Sequence, residues 1–312
     1  MVIGGGIMAK DRKKPIKRSK SDIIFDSIIF ILLTFILIIV AYPLYFIIIS
    51  SFSSPDKVSS GQVVFYPLGF TLEGYNKVFE NSQVVRGFLN SLLYTIVGTS
   101  VNLLLTIPTA YALSRKKFQG GRIVTIFYMI TMFISGGMIP TYLVVQKLHL
   151  LDTMWALILP GSLSVYNMIV ARTFFQQNIS EELYEAAELD GCGHGKFFFS
   201  IALPLSKAII AIMVLYYGVG HWNSYFNALL YMQTEDKYPL QLVLRSILVQ
   251  NSAQLSQTVI SAQQQEALRK QQEAVELMKY SLIIISSIPV LILYPFIQKH
   301  FTKGIMIGSV KG

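Results

Sequence analysis

Residues 27–55 read SIIFILLTFILIIVAYPLYFIIISSFSSP, a run without a single Asp, Glu, Lys or Arg. A helix needs about 20 mostly apolar residues to cross the ~30 Å hydrocarbon core of a bilayer, and the apolar part of this run is long enough. Five further charge-free runs lie at residues 87–114, 123–146, 153–171, 208–234 and 280–298. Only helices or closed barrels satisfy every backbone group in lipid. The apolar residues here are continuous rather than alternating, which excludes barrel strands. The expected fold is an all-α integral membrane protein with six transmembrane helices. A seventh charge-free run at 246–265, SILVQNSAQLSQTVISAQQQ, is too rich in Gln and Ser to exchange water for lipid. It reads as an extramembrane helix that continues through EALRKQQEAVELMK into the last membrane helix. The first run is too long for a signal-peptide core, and no small-residue cleavage site follows it.

Composition agrees. Of 312 residues, 53% are hydrophobic and 14% charged, against roughly 25% charged in an ordinary soluble domain. Disorder, which needs low hydrophobicity and high charge, is excluded. Lys and Arg number 26 against 17 Asp and Glu, a net charge of +9. In so apolar a chain this points to basic loops on the inner side of a membrane rather than to nucleic acid. The basic residues cluster at Lys10–Lys20, at Arg115, Lys116, Lys117 and Arg122, at Arg172, Lys196 and Lys207, and at Lys299, Lys303 and Lys311. The positive-inside rule then places both termini in the cytoplasm. The expected organisation is a basic segment at 1–22, a membrane domain at 23–302 and a tail at 303–312, with external segments at 50–87 and 233–279. Cys192 is the only cysteine and the four histidines are scattered, so neither a disulfide nor a metal spacing is visible.

Most chemistry-bearing patterns fail. Gly191–Lys196, GCGHGK, has three residues between its outer glycines and Phe197 after Lys196, where a phosphate-binding loop needs four and a Ser or Thr. No nucleophile-elbow or zinc-protease pattern occurs. The chain is expected to be no enzyme and to bind no cofactor itself.

The informative segment is 178–205, NISEELYEAAELDGCGHGKFFFSIALPL, on the expected cytoplasmic side. Ser180 can cap a helix whose first turn holds Glu181 and Glu182. That helix should run to about Leu189 and stop at Gly191, a residue free to take the left-handed conformation. So short a helix is marginal alone, so packing must hold it. Ala186 and Ala187 offer a flat surface. Glu185, Glu188 and Asp190 offer acids for pairing, and Pro204 punctuates the approach to the fifth membrane helix.

This segment resembles the cytoplasmic signature loop of permease subunits of ATP-binding-cassette importers. That pattern is Glu-Ala-Ala, three residues, Gly, nine residues, Ile-x-Leu-Pro. Glu185-Ala186-Ala187, Gly191 and Ile201-x-Leu203-Pro204 fit every fixed position and both spacings. The stretches SGGMIPTYLVVQKLHLLDTMWALILPG, YNMIVARTFFQ, GHWNSYFNALLYM, YPLQLVLRSIL and the tail FTKGIMIGSVKG are similar to the carbohydrate-importer branch, and most to the group linked to complex oligosaccharides or polysaccharide fragments. The first residues, MVIGGGIMAKDRKK, have no such counterpart. The resemblance implies a type I importer permease fold in a prokaryotic cell membrane. It implies that Glu185, Ala186, Ala187, Asp190, Gly191, Ile201, Leu203 and Pro204 couple the chain to an ATPase through a cytoplasmic coupling helix. The partners implied are a second homologous permease, two ATPases that carry the ATP and Mg, an extracytoplasmic sugar-binding protein and an oligosaccharide cargo.

A sugar path should offer hydrogen-bonding side chains and aromatic platforms without strong charge. At helical spacing, Tyr216, Gly220, Asn223, Asn227 and Tyr231 fall on one face of the fifth membrane helix, with Tyr217, Trp222, Tyr225 and Phe226 nearby. Asn223 and Asn227 are read equally as path lining or as interhelical hydrogen bonding. For Trp222 and Tyr231, packing or an interfacial belt is the preferred reading. Ser135-Gly136-Gly137 and Pro140 read as a helix end before a short loop, Asn90 and Ser91 as a cap or interhelical contact, and His221 as a packing residue. The lack of acids in the membrane runs argues against a proton-coupled secondary carrier. That carrier, a non-transporting scaffold and an importer of amino acids or peptides are the rival readings.

Overall fold

The computed structural model describes residues 19–254, 275–276, 278–295 and 298. The basic N-terminal cluster, most of the Gln-rich run and the glycine-bearing tail lie outside the described residues. Within them the chain is helical, with no strand. The helices are α1 (Lys20–Ser51), α2 (Pro55–Ser59), α3 (Glu73–Glu80), α4 (Ser82–Ser114), α5 (Gly121–Phe133), α6 (Met138–Lys147), α7 (Met154–Ile158), α8 (Val165–Asn178), α9 (Glu181–Leu189), α10 (His194–Phe197), α11 (Leu203–Leu205), α12 (Lys207–Trp222), α13 (Phe226–Tyr231) and α14 (Leu240–Gln254). The last, α15, is Met278–Pro295.

Three helices, α1, α4 and α15, are long and apolar enough to cross a membrane. The number rises to six if each of three bent pairs is one crossing. Those pairs are α5 with α6 (112°), Met154–Gly161 with α8 (53°), and His194–Leu205 with α12 (79°). Three of the six expected membrane helices are thus single long helices, and the other three charge-free runs fall in bent pairs. The 13 residues of α5 reach about 20 Å, short of a bilayer core. The chain then turns sharply at 134–137, where Gly137 takes φ +85°. A helix end followed by a short connection, the preferred reading of that stretch, is what stands there, with α6 beyond it. The bend before α12 has a local cause. Phe198–Ala202 forms one wide turn, and Pro204 follows without an N–H to donate. Wide turns and prolines are the usual sites of sharp helix kinks.

α4 is the central post, packed against α8, α12 and α14. Around the end of α4 that lies next to α9, the core holds Ile107, Tyr111, Met168, Phe175, Phe197 and Met213. Around its other end, one cluster joins Tyr94, Val145, Leu157 and Tyr231, and another joins Val84, Trp222, Leu240 and Leu282. α1 is different: nearly its whole apolar length is exposed, as a helix must be whose neighbours are lipid or another chain.

Loops at the end away from α9 are ordered by side chains. Asp152, at φ +59°, accepts from the Gln233 and Thr234 N–H groups (both 3.0 Å), the Thr234 hydroxyl (2.7 Å) and Lys237 Nζ (2.6 Å). Lys237 beside it holds the Asp152 carboxyl far below the usual carboxylate range. The 233–240 segment is also strapped to α4. Asn90 donates to the Asp236 and Tyr238 carbonyls (2.8 and 3.1 Å), Ser91 Oγ accepts from Leu240 N (2.8 Å), and Arg86 pairs with Asp236. Asn90 and Ser91 are thus contact residues, as read from sequence. Between α1 and α4, Ser54 N donates to Leu68 O (3.0 Å), Thr71 N to Phe52 O (3.0 Å) and Tyr75 Oη to Ser51 Oγ (2.9 Å).

Candidate functional site

The short acidic helix α9 forms over Glu181–Leu189. Ser180 Oγ accepts from Leu183 N (3.3 Å) and caps it. Gly191, at φ +75°, ends it, and Cys192 N donates back to Ala187 O (2.9 Å). Inward packing holds this otherwise marginal element. Tyr184 is 2% exposed. Its ring stacks on His194 (5.0 Å between centroids) and meets Phe197 edge-on (5.1 Å). Its hydroxyl is 3.1 Å from His194 Nε2. Removal from water pushes the Tyr184 phenol up, so it stays neutral. Lys117 reaches across from the α4–α5 connection to Glu188 (3.2 Å) and Glu185 (4.0 Å) and lies 5.6 Å over the Tyr184 ring. The hydrogen bond that Lys117 donates to Glu188, and that carboxylate's charge, push the Lys117 ammonium pKa up.

Arg115 ties the same corner from beneath. It donates to the Phe175 and Ile179 carbonyls at the end of α8 (3.3 and 3.0 Å) and lies 3.7 Å from Glu181. Arg172 Nε donates to Leu113 O (2.9 Å). These contacts join α4, α8 and α9 into one mechanical corner. The opposite face of α9 is open. Glu182, Leu183, Ala186 and Asp190 are exposed there, Leu189 is 90% exposed, and Glu185 and Glu188, also exposed, lie at the flank held by Lys117. Ala187, expected to share a flat outer surface with Ala186, is half-buried against the core. Ile201 and Leu203 also pack inward, while Pro204 is exposed.

A polar layer crosses the bundle farther along α4. Asn102 donates to Gly161 O (2.9 Å) and Ser162 O (2.7 Å), and its Oδ1 lies 2.6 Å from His221 Nε2. The Asn102 amide thereby requires a proton on that nitrogen. Gly98 makes room for the imidazole: a Cβ there would stand 2.6 Å from the ring. Thr106 and Tyr217 share a hydrogen bond (2.7 Å), and Tyr217 Oη accepts from Ser164 N (3.2 Å). The backbone groups freed where the chain breaks at 162–164 are thus satisfied by side chains of α4 and α12. A broken helix in lipid requires this. Asn102 is 12 residues from the end of α4, or about 18 Å, near half the thickness of a bilayer core.

The single-face reading of the fifth membrane helix is corrected. α12 ends at Trp222, with Asn223 as its cap and Ser224 N donating to His221 O (3.1 Å), and α13 starts only at Phe226. Asn223 and Asn227 therefore lie on separate elements, both exposed, as is Tyr225. Trp222 is buried and donates from Nε1 to Ser286 O (2.9 Å). Tyr231 is buried and stacks on Tyr142 (6.1 Å). Tyr217 is the buried pin just described. Tyr216 remains open, on a cleft with Tyr166, Asn167, Leu215 and Val219. Sequence reading missed Asn102, Asn167 and Arg115. An amide at membrane depth must face protein or water, and that rule, which bears on Asn223 and Asn227, marks Asn102 and Asn167 equally well.

The family described as "Binding-protein-dependent transport system inner membrane component" matches residues 84–307. The chain is 39% identical to Protein LplC of Bacillus subtilis (strain 168), over 94% of this chain and 97% of that one. It is 38% identical to the polygalacturonan/rhamnogalacturonan transport system permease protein YtcP of the same organism, over 93% and 99%. Among solved structures, a bacterial ABC transporter involved in the import of the acidic polysaccharide alginate contains a similar chain. The TM-score is 0.82 at 30% identity, covering 91% of this chain and 99% of that one.

Proposed function

Because this chain belongs to the family of inner membrane components of binding-protein-dependent transport systems, we propose that it forms half of an oligosaccharide path and receives, through α9, the motion of separate ATPases. The chain is a multi-pass membrane permease of an ABC importer and is not itself an enzyme. The cargo is an oligosaccharide or polysaccharide fragment, the class carried by the relative named for polygalacturonan and by the importer named for alginate. A second permease completes the path, two ATPases carry ATP and Mg, and an external binding protein delivers the sugar. Each bent pair counts as one crossing, so six crossings put both termini on the α9 side, the cytoplasm. Segment 178–205 then faces the ATPase, and 50–87 and 233–279 lie outside.

The observation that carries the coupling role is the two-faced build of α9. Its inner face is bolted through Tyr184, Lys117 and Arg115 to α4 and α8. Its outer face offers Leu183, Ala186 and Leu189 ringed by acids. An apolar centre with a charged rim is the anatomy of a docking surface. Glu185, Ala186, Asp190 and Gly191 shape the gripped side, while Ala187, Ile201 and Leu203 hold the grip to the core. Nucleotide-driven closure moves α9, and α8 carries that movement to the break at 162–164, a bistable element of the kind that alternates access.

The test is cysteine crosslinking in the assembled complex. With Cys192→Ser as background, Ala186→Cys is expected to link to the ATPase in a manner that changes with ATP. Full water accessibility in every nucleotide state would remove the coupling role. For the cargo, the complex with its binding protein is expected to hydrolyse ATP faster with oligogalacturonides of two to four units. Stimulation by amino acids or peptides instead would overturn the sugar reading.

A further inference from the structure

The cleft beside the broken fourth crossing holds a group with nothing to do. It is open, about 520 Å³, and lined by Tyr166, Asn167, Leu215, Tyr216 and Val219. That volume lies in the roughly 300–1,000 Å³ range of small-molecule sites. Asn167 is only 7% exposed. Its backbone N–H donates to Ser164 Oγ (3.4 Å), yet among the described residues its side-chain amide makes no hydrogen bond. In the neighbouring layer Asn102, His221, Thr106 and Tyr217 all have partners within the bundle. The Asn167 amide instead reaches the open cleft, where a polar ligand can pair with it.

We propose that Asn167 contacts the cargo, its side-chain amide hydrogen-bonding an oxygen of the passing saccharide between the rings of Tyr166 and Tyr216. The proposal rests on the sugar-path reading above and adds the residue that touches the sugar.

Three features favour a saccharide as occupant. The lining has no charged side chain and two exposed tyrosines, which suits rings that present C–H faces and hydroxyls together. Position fits as well. Asn167 sits 11 residues before Asn178, the end of α8, so it is about 17 Å along the helix. That distance is close to half of a ~30 Å hydrocarbon core, and the middle of the membrane is where transporters place their substrates. The leading turn of α8 also opens on the cleft, and its positive end attracts sugar oxygens, a uronate carboxylate most of all. Finally, α8 is one uninterrupted helix from this cleft to the Phe175 and Ile179 carbonyls that Arg115 holds. Motion of α9 is delivered to Asn167 along that rod, so grip on the sugar changes with the nucleotide state.

The experiment uses the complete importer in proteoliposomes with saturating loaded binding protein and oligogalacturonides of two, three and four units. Asn167→Leu is expected to lower uptake at least tenfold and to change the relative rates of the three lengths at least fivefold. Asn167→Gln, which keeps the amide, is expected to recover part of both. In a Cys192→Ser background, Asn167→Cys and Tyr166→Cys are expected to react with a small water-soluble thiol reagent, more slowly when trigalacturonate is being transported. The cysteine pair keeps the question answerable if Asn167→Leu fails to assemble. Unchanged length preference together with unprotected cysteines would overturn the proposal. So would cysteines that react only when the second permease is absent, because a partner side chain would then be the occupant. If the unaltered complex takes up no oligogalacturonide, the cargo reading fails first and this inference fails with it; uptake by the unaltered complex without an Asn167 effect sinks the inference alone.

Discussion

At the residue scale, single side chains with several duties hold the loops of this protein. Asp152 is the clearest. Five oxygen contacts from 233–237 converge on it, four at the carboxylate and one from Lys237 Nζ to its carbonyl (2.8 Å). Asp152→Asn is expected to destabilise the purified protein by about 1–2 kcal/mol, the range of a charge-assisted hydrogen bond discounted for partial exposure. The sign with pH follows from the lowered folded-state pKa of Asp152. The ionised form stabilises, fully above the ordinary carboxylate value of about 3.9, and this contribution is lost as pH falls through the lower folded value. Thermal midpoints of the parent and Asp152→Asn should therefore differ at pH 7 and converge in strong acid. A gap independent of pH would show that charge has no part in the contact.

At the element scale, α9 illustrates how a nine-residue helix becomes rigid enough to be pushed. Its own hydrogen bonds are insufficient, so the Tyr184 ring is the fixing bolt. Tyr184→Ala should release the helix at a cost of about 3 kcal/mol. Tyr184→Phe keeps the ring and loses only the contact with His194, about 1 kcal/mol. Hydrogen exchange of the 181–190 amides reads the difference, and equal effects of the two variants would mean that the ring is not the anchor. Gly191→Val should cost roughly 1–2 kcal/mol, since a side chain resists φ +75°. Its effect belongs in the same exchange measurement, confined to the end of α9.

At the scale of the whole molecule, two stations lie along the axis of α4: the corner at Arg115 and the polar layer at Asn102. α8 runs between them. The layer ties the break to α4 and α12 by giving the Gly161 and Ser162 carbonyls and the Ser164 N–H side-chain partners. Gly98→Val should push the His221 ring off Asn102 and cost about 1–3 kcal/mol by overpacking. His221→Leu leaves Asn102 Oδ1 buried without a donor, with a cost of about 1–3 kcal/mol. Because both changes act on one contact, the double variant should cost clearly less than the sum of the two. Strict additivity in thermal midpoints would show that Gly98→Val does not act through the contact of His221 with Asn102.

The apolar runs by themselves determined that this is a helical membrane protein, because continuous apolar stretches of that length leave water for lipid, where a helix pairs its own backbone groups. The 178–205 segment likewise foretold α9, its Ser180 cap and its Gly191 stop, since capping and left-handed turns are local chemistry acting over a few residues. What tertiary structure alone decided is where those runs bend and which polar side chains are left over. The break at 162–164 persists because Asn102 and Tyr217, some 50 to 60 residues away in sequence, supply the hydrogen bonds it forfeits. The end of α12 at Trp222 undid a face that periodicity had drawn through Tyr231. Whether a buried amide such as Asn102 is satisfied, or such as Asn167 is free to hold something else, depends on neighbours brought together from distant parts of the chain, and helical spacing carries no record of them.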